Sequence, residues 1–278
     1  MFRVFLHSRF RVTASLPSFL SRIALVVLVG VAGACATTSR WEGLTATQLF
    51  EMGRAEFEAG AYGDASETLE RLILGAPGFS QAAEAQLMLA RSYFLSGQYI
   101  LSQSEFTRFI DRFPAHPQAP DAALGVCRSN EALSPISQRD QTFTQQAVTV
   151  CQNVAADWQG TPAADQAGEI VREMRDKLAE KQYDNGAYYL RRNVPDAAIL
   201  YWEELLEAFP ETDWAPTALA GIIEAYTRIG YEAAVATATE RLLNEYPESP
   251  EARALGDGGG FGDEVGASGR GGAVGGGG

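Results

Sequence analysis

Residues 82–117 read AAEAQLMLARSYFLSGQYILSQSEFTRFIDRFPAHP. Apolar and small residues recur at three- and four-residue spacing on either side of Gly97, the period of an amphipathic helix. The stretch is therefore two helices with a break between them, closed by an aromatic residue and a proline, Phe113-Pro114. The same arrangement stands 37 residues earlier. Gly60-Ala61-Tyr62 matches Gly97-Gln98-Tyr99, and Pro77 matches Pro114. In that frame Ala65 aligns with Ser102, Leu69 with Phe106 and Leu72 with Phe109.

Outward from this stretch the pattern continues. A third unit starts near Pro120, with Ala147 at the small position and Trp158-Gln159 in place of Phe113-Pro114. A fourth runs from about Ala164 to Phe209-Pro210, packing through Ala198, Trp202 and Leu205, and a fifth from Ala215 through Gly230 to Tyr246-Pro247. A small residue in helix A, a turn glycine, a small residue in helix B, then aromatic and proline is the pattern of tetratricopeptide helix pairs. Small residues let the helices approach, glycine ends helix A, and proline cannot continue helix B. Each pair buries its apolar face only by stacking on its neighbours. The expected fold is all-α, a tetratricopeptide-like α-solenoid of about five helix pairs over residues 46–250. Two irregularities interrupt it: an insertion from Ser134 to Thr142 between the helices of unit three, and a long first helix in unit four, from about Ala164 to Arg192.

Both flanks differ from the solenoid. Four arginines (Arg3, Arg9, Arg11, Arg22) and no acid occupy the first 34 residues. An apolar run from Ile23 to Ala34 is too short for a bilayer span, which needs about 20 residues. Basic, apolar, then small is the order of an export signal. Because Cys35 directly follows Ala32-Gly33-Ala34, the junction resembles a bacterial lipobox, with residues 1–34 a signal peptide, Cys35 acylated and residues 35–45 a lipidated tether; an ordinary secretory signal is the plainer alternative. The junction carries no acid beside the anchor, and in lipoproteins that points to the outer membrane, periplasmic face. At the other end, residues 251–278 are expected to form a disordered Gly-rich tail, since 13 of the last 23 residues are glycine and almost none could be buried.

Removing the signal leaves 18 basic against 35 acidic residues, a net charge of −17. Such a chain repels nucleic acid and anionic head groups, so attachment to a membrane rests on the lipid. There is no phosphate loop and no Ser/His pair beyond the lone His116, and no His/Cys spacing that holds a metal. The chain reads as a binding protein rather than an enzyme, with no cofactor apart from the covalent lipid on Cys35.

Candidate binding residues come from the repeat frame. Arg54, Arg91 and Arg128 share one position of three successive A helices, and Phe57 and Phe94 share another one turn onward, where the third unit has Glu131. In stacked pairs this face lines a concave groove. Guanidinium groups beside aromatic rings suit an extended peptide that bears a carboxylate; the plainer reading pairs each arginine with a local acid such as Glu58, Glu84 or Glu131. Cys127 takes the small position of helix A in unit three and Cys151 a position facing the same seam from helix B. In an oxidising compartment they either close a disulfide, which stabilises by about 3 kcal/mol in the chain-entropy account, or stay as buried thiols.

With a lipobox, five helix pairs and the segment RDKLAEKQYDNGAYYLRR (175–192), the chain resembles the YfiO-like BamD family, lipoproteins of the outer-membrane β-barrel assembly machinery. Arg139-Asp140-Gln141 and the Phe209-Pro210-Glu211-Thr212 corner also look like that family. The resemblance implies a scaffold that binds the periplasmic domains of a BamA-like barrel protein through its C-terminal repeats, works beside other assembly lipoproteins, and recognises C-terminal signals of unfolded outer-membrane proteins through its N-terminal repeats. Carried over, the substrate face is Arg54, Phe57, Arg91 and Phe94, and the partner side is Tyr188, Tyr189, Arg191, Arg192 and Tyr201. Leu200-Tyr201 departs from the Asn-Arg the family usually has, which removes an expected charged contact. A lipoprotein scaffold of pilus or secretin assembly, or of a cell-division-linked complex, shares the repeats but is not expected to have the long unit-four helix.

Overall fold

The computed structural model describes residues 40–256. The expected signal peptide, Cys35 and the tail beyond residue 256 lie outside them. Residues 40–45 belong to a separate unit; there the Arg40 guanidinium lies 4.7 Å from the Trp41 ring centre. The second unit begins at Ala46. Its helices are α1 (Ala46–Glu58), α2 (Tyr62–Gly75), α3 (Ala82–Leu95), α4 (Tyr99–Arg112), α5 (Ala119–Leu133), α6 (Thr142–Asp157), α7 (Pro162–Arg191), α8 (Pro195–Ala208), α9 (Trp214–Ile229), α10 (Glu232–Glu245) and α11 (Pro250–Gly256). The described residues contain no strand. No helix among them is long and apolar enough to cross a membrane.

The fold is an all-α solenoid of five helix pairs. Each helix packs on its chain neighbours, and the first helices of successive pairs (α1, α3, α5, α7, α9) also touch one another in order. The second helices (α2, α4, α6, α8, α10) make no such contact with each other. The stack therefore closes on the side of the first helices, which form its inner face.

The turn inside four of the pairs uses one backbone device. Gly60, Gly97 and Gly230 have φ of 76°, 77° and 84°, and Asn193 takes the same place with φ 59°. The next N–H reaches back five residues in each case: Ala61 to the Glu56 oxygen, Gln98 to Tyr93, Val194 to Tyr189 and Tyr231 to Tyr226, at 2.8–3.0 Å. This satisfies carbonyls that the helix end would leave bare.

The core is built by large side chains of one helix seated on small residues of the next. A Cβ on Gly125 would stand 2.6 Å from the Phe106 ring. Trp202 lies between two glycines, Gly186 on α7 and Gly221 on α9, and donates its indole N–H to the Tyr183 carbonyl at 3.2 Å. Gly53 and Ala90 occupy the small position of the first two units. The third unit has Cys127 there, and the structure joins it to Cys151 in a disulfide with the Cα atoms 4.9 Å apart.

Two boundaries differ from expectation. The long helix is 30 residues, about 45 Å at 1.5 Å per residue, and starts at Pro162 rather than Ala164. Thr161 caps it by accepting the Ala164 N–H at 3.2 Å, and Pro162 fits the first turn, where no N–H is needed. At the far end, the expected solenoid boundary at residue 250 and a tail from 251 are corrected: α11 extends to Gly256. Ser249 caps this helix through the Ala252 N–H, and Ala252 is 3% exposed against the last pair. This seven-residue helix, about two turns, covers apolar surface of the last pair.

Candidate functional site

The inner face carries the arginine row, in unequal states. Arg54 pairs with Glu51 one turn before it, not with the more distant acids. Arg128 donates to Gln166 Oε1 of α7 at 2.6 Å. Arg91 is exposed, and its side chain makes no hydrogen bond or ion pair among the described residues. The rings are engaged as well: Phe57 packs edge-on to Tyr62 at 5.5 Å and Phe94 to Tyr99 at 5.4 Å, each joining the two helices of its own pair. At the third position Glu131 is half-buried; burial and then the Glu173 charge raise its carboxyl pKa, against Arg128 and Lys177. The face thus offers one open guanidinium flanked by two that are already satisfied.

The residues assigned to the partner side come together more fully. The Tyr189 and Tyr201 rings stack at 5.3 Å, 12° from parallel, so the residue that departs from the family's pattern joins α8 to α7. A hydrogen bond with Tyr189 is the main reason the Tyr201 phenol titrates above the ordinary range. Tyr188 meets Tyr189 edge-on at 5.4 Å, and the Arg192 guanidinium lies 5.2 Å from the Tyr188 ring centre. Arg191 is exposed on the last turn of α7. Beside this group Leu200 is 60% and Val194 45% exposed. Rings, guanidinium groups and aliphatic side chains on one surface are the composition of protein-interface anchors.

The way α7 holds the unit-three insertion is absent from the sequence reading. Gln141, 7% exposed, donates its side-chain amide to the carbonyls of Ile136, Ser137 and Arg139 at 2.8, 3.3 and 3.1 Å and accepts from the Thr144 hydroxyl at 2.6 Å. From the other side Lys177 donates to Ser134 Oγ at 2.9 Å, and Lys181 to the carbonyls of Gln138 and Arg139 at 3.3 and 3.2 Å. The only signal in the sequence is the four-residue spacing of two lysines, which puts them on one helix face. A second latch joins α7 to the α8–α9 corner. Arg175 bonds to Glu211, donates to the Ala208 carbonyl at 2.7 Å and lies 5.1 Å from the Phe209 ring centre.

Comparison with known proteins bears on the identity of this arrangement. The model of the YfiO family, described as outer membrane lipoprotein, matches residues 43–242, from the turn before α1 into α10. The chain belongs to the YfiO family of outer membrane lipoproteins. Among curated relatives it is similar to the outer membrane protein assembly factor BamD of Xylella fastidiosa, 26% identical over 219 residues and 75% of each chain. It is likewise similar to the BamD of Caulobacter vibrioides, 25% identical over 213 residues, 74% of this chain and 69% of that one. The BamD of Rickettsia prowazekii is 26% identical over 228 residues, 81% of this chain and 91% of its own. The YfiO match spans both the arginine row and the tyrosine stack. α11 lies beyond it.

Proposed function

We propose that this chain is a scaffold lipoprotein of the outer-membrane β-barrel assembly machinery, anchored at the periplasmic face by acylated Cys35. The observation that carries the reading is the YfiO match across the solenoid, in a chain whose relatives are named outer membrane protein assembly factors. The end of α7 is the surface we assign to the periplasmic domains of a BamA-like protein: Tyr188, Tyr189, Arg191, Arg192 and Tyr201, with Leu200 as apolar neighbour. The exposed Arg91 is the group we assign to the carboxylate of a C-terminal signal on an unfolded outer-membrane protein. The role is binding rather than catalysis.

The test is recovery of partners by the tagged full chain from detergent-solubilised envelopes. The expected partner is a large β-barrel protein with repeated periplasmic domains, lost in Arg192→Glu and Tyr201→Glu and retained in Arg91→Glu. Recovery of a secretin or a division protein instead would overturn the assignment. Separately, Arg91→Glu is expected to weaken binding of peptides that end in a free carboxylate after an aromatic residue.

A further inference from the structure

The insertion loop, α6, α7 and Phe209 line an open cleft of about 440 Å³ that neither of these surfaces uses. This size falls within the roughly 300–1,000 Å³ of ordinary ligand sites. Leu178 and Phe209 provide its apolar lining, and polar groups the remainder.

The polar groups divide into two sets. Gln141 and Lys181 are spent on the loop itself, as described above, and Gln182 donates to Glu204 at 2.6 Å. Arg139, Gln145 and Asn185 line the same cleft, and among the described residues their side chains have no hydrogen-bond or ion-pair partner. One is a planar cation with five donors; the other two are carboxamides, each with two donors and an acceptor. A carboxamide matches the donor and acceptor of a peptide unit, so two of them, Gln145 on α6 and Asn185 on α7, suit an extended main chain. The fixed loop means that little ordering remains to oppose binding. The charge is also specific. Two cations, Arg139 and Lys181, line the cleft against one carboxylate, Asp140, on a chain of net charge −13. The Asp140 carboxylate is itself occupied by the Thr142 N–H at 3.0 Å. The neighbouring Asp184 faces Gln138 at 3.4 Å.

We propose that this cleft binds a short extended segment of a partner protein bearing an aspartate or glutamate, with Arg139 taking the carboxylate and Gln145 and Asn185 taking the main chain. The site is distinct from the arginine row and from the tyrosine stack.

The probe is a random octapeptide library displayed on phage, selected against the mature full chain in detergent. Selected sequences, made as capped synthetic peptides, are then titrated by fluorescence anisotropy. The expected result is a fixed acidic position and affinity at least tenfold weaker for Arg139→Glu. Reselection on that variant should favour a basic residue at the same position. Asn185→Trp and, from a different helix, Gln145→Trp each add bulk at the cleft and should abolish binding while the helical circular dichroism stays unchanged; two positions guard against one variant misfolding. No enriched peptide, an acidic preference that survives Arg139→Glu, or binding lost only in Arg91→Glu would each overturn the proposal. That last outcome places the peptides on the inner face instead.

Discussion

Gly186 shows how one missing methyl group sets a helix in place. Alanine there would gain about 1 kcal/mol of helix propensity. Its Cβ, however, would stand 2.6 Å from Trp202 Cε2. The indole cannot retreat, because a Cβ on Gly221 would meet its other edge at 2.8 Å; the ring is held between two backbones. Overpacking of this kind costs about 1–3 kcal/mol, so after the propensity gain Gly186→Ala should lower the unfolding free energy by up to about 2 kcal/mol in denaturant titration. Asn193 tests the turn. A side chain in the left-handed region costs about 1–2 kcal/mol, less for asparagine, whose short amide tolerates it. Asn193→Gly should therefore be neutral or slightly stabilising, and Asn193→Val should be destabilising by about 1–2 kcal/mol in the same titration.

Two links hold elements together by different physics. Among the described residues, the disulfide closes the one pair whose connection is a long insertion, where the two- or three-residue turn of the other pairs is missing. Replacing both cysteines with alanine should lower stability by about 3 kcal/mol, from the loop entropy returned to the unfolded chain, and the protein as purified should show no reactive thiol from this pair under denaturing, non-reducing conditions. The Arg175 latch is electrostatic and partly exposed, its two side chains 26% and 49% accessible. Its bond from Arg175 holds the Glu211 carboxyl below the usual range. A depressed carboxyl pKa contributes stability that is present above the unfolded-state value and lost as pH falls through the folded one. Arg175→Met should thus cost about 1 kcal/mol at pH 7, and the gap to the parent should narrow as the pH is lowered from 6 to 3. What remains at pH 3 is the contact with the Phe209 ring and the bond to the Ala208 carbonyl. A gap independent of pH would mean that Glu211 adds nothing.

At the scale of the molecule, the proposed anchor at Cys35 and the proposed binding surfaces of the solenoid can be tested separately. If Cys35 carries the lipid, Cys35→Ser should leave either an unprocessed precursor or a soluble periplasmic protein, with the solenoid's thermal melt unchanged. A processed chain that carries acyl groups after this change would overturn Cys35 as the anchor. The repeat was legible because it is a local property. Spacing of small and aromatic residues dictates which face of each helix is apolar, and a face of that width is buried only by stacking, so the Gly97–Pro114 frame alone led to the helix pairs. The positions of Cys127 and Cys151 were legible for the same reason, although the frame left their chemical state open. Tertiary structure decided the rest. Whether Arg54, Arg91 or Arg128 is free depends on Glu51 and Gln166, whose reach is set by rotamers and by the packing of α5 on α7. Tyr201 became half of a ring stack because α7 and α8 place it against Tyr189. The cleft at Arg139 exists because two lysines four residues apart on α7 hold a loop that lies more than 40 residues away in the chain. Periodicity records how much surface each helix must bury. It does not record which polar side chains remain unpaired once that burial is complete, because pairing depends on distances that only the assembled stack defines.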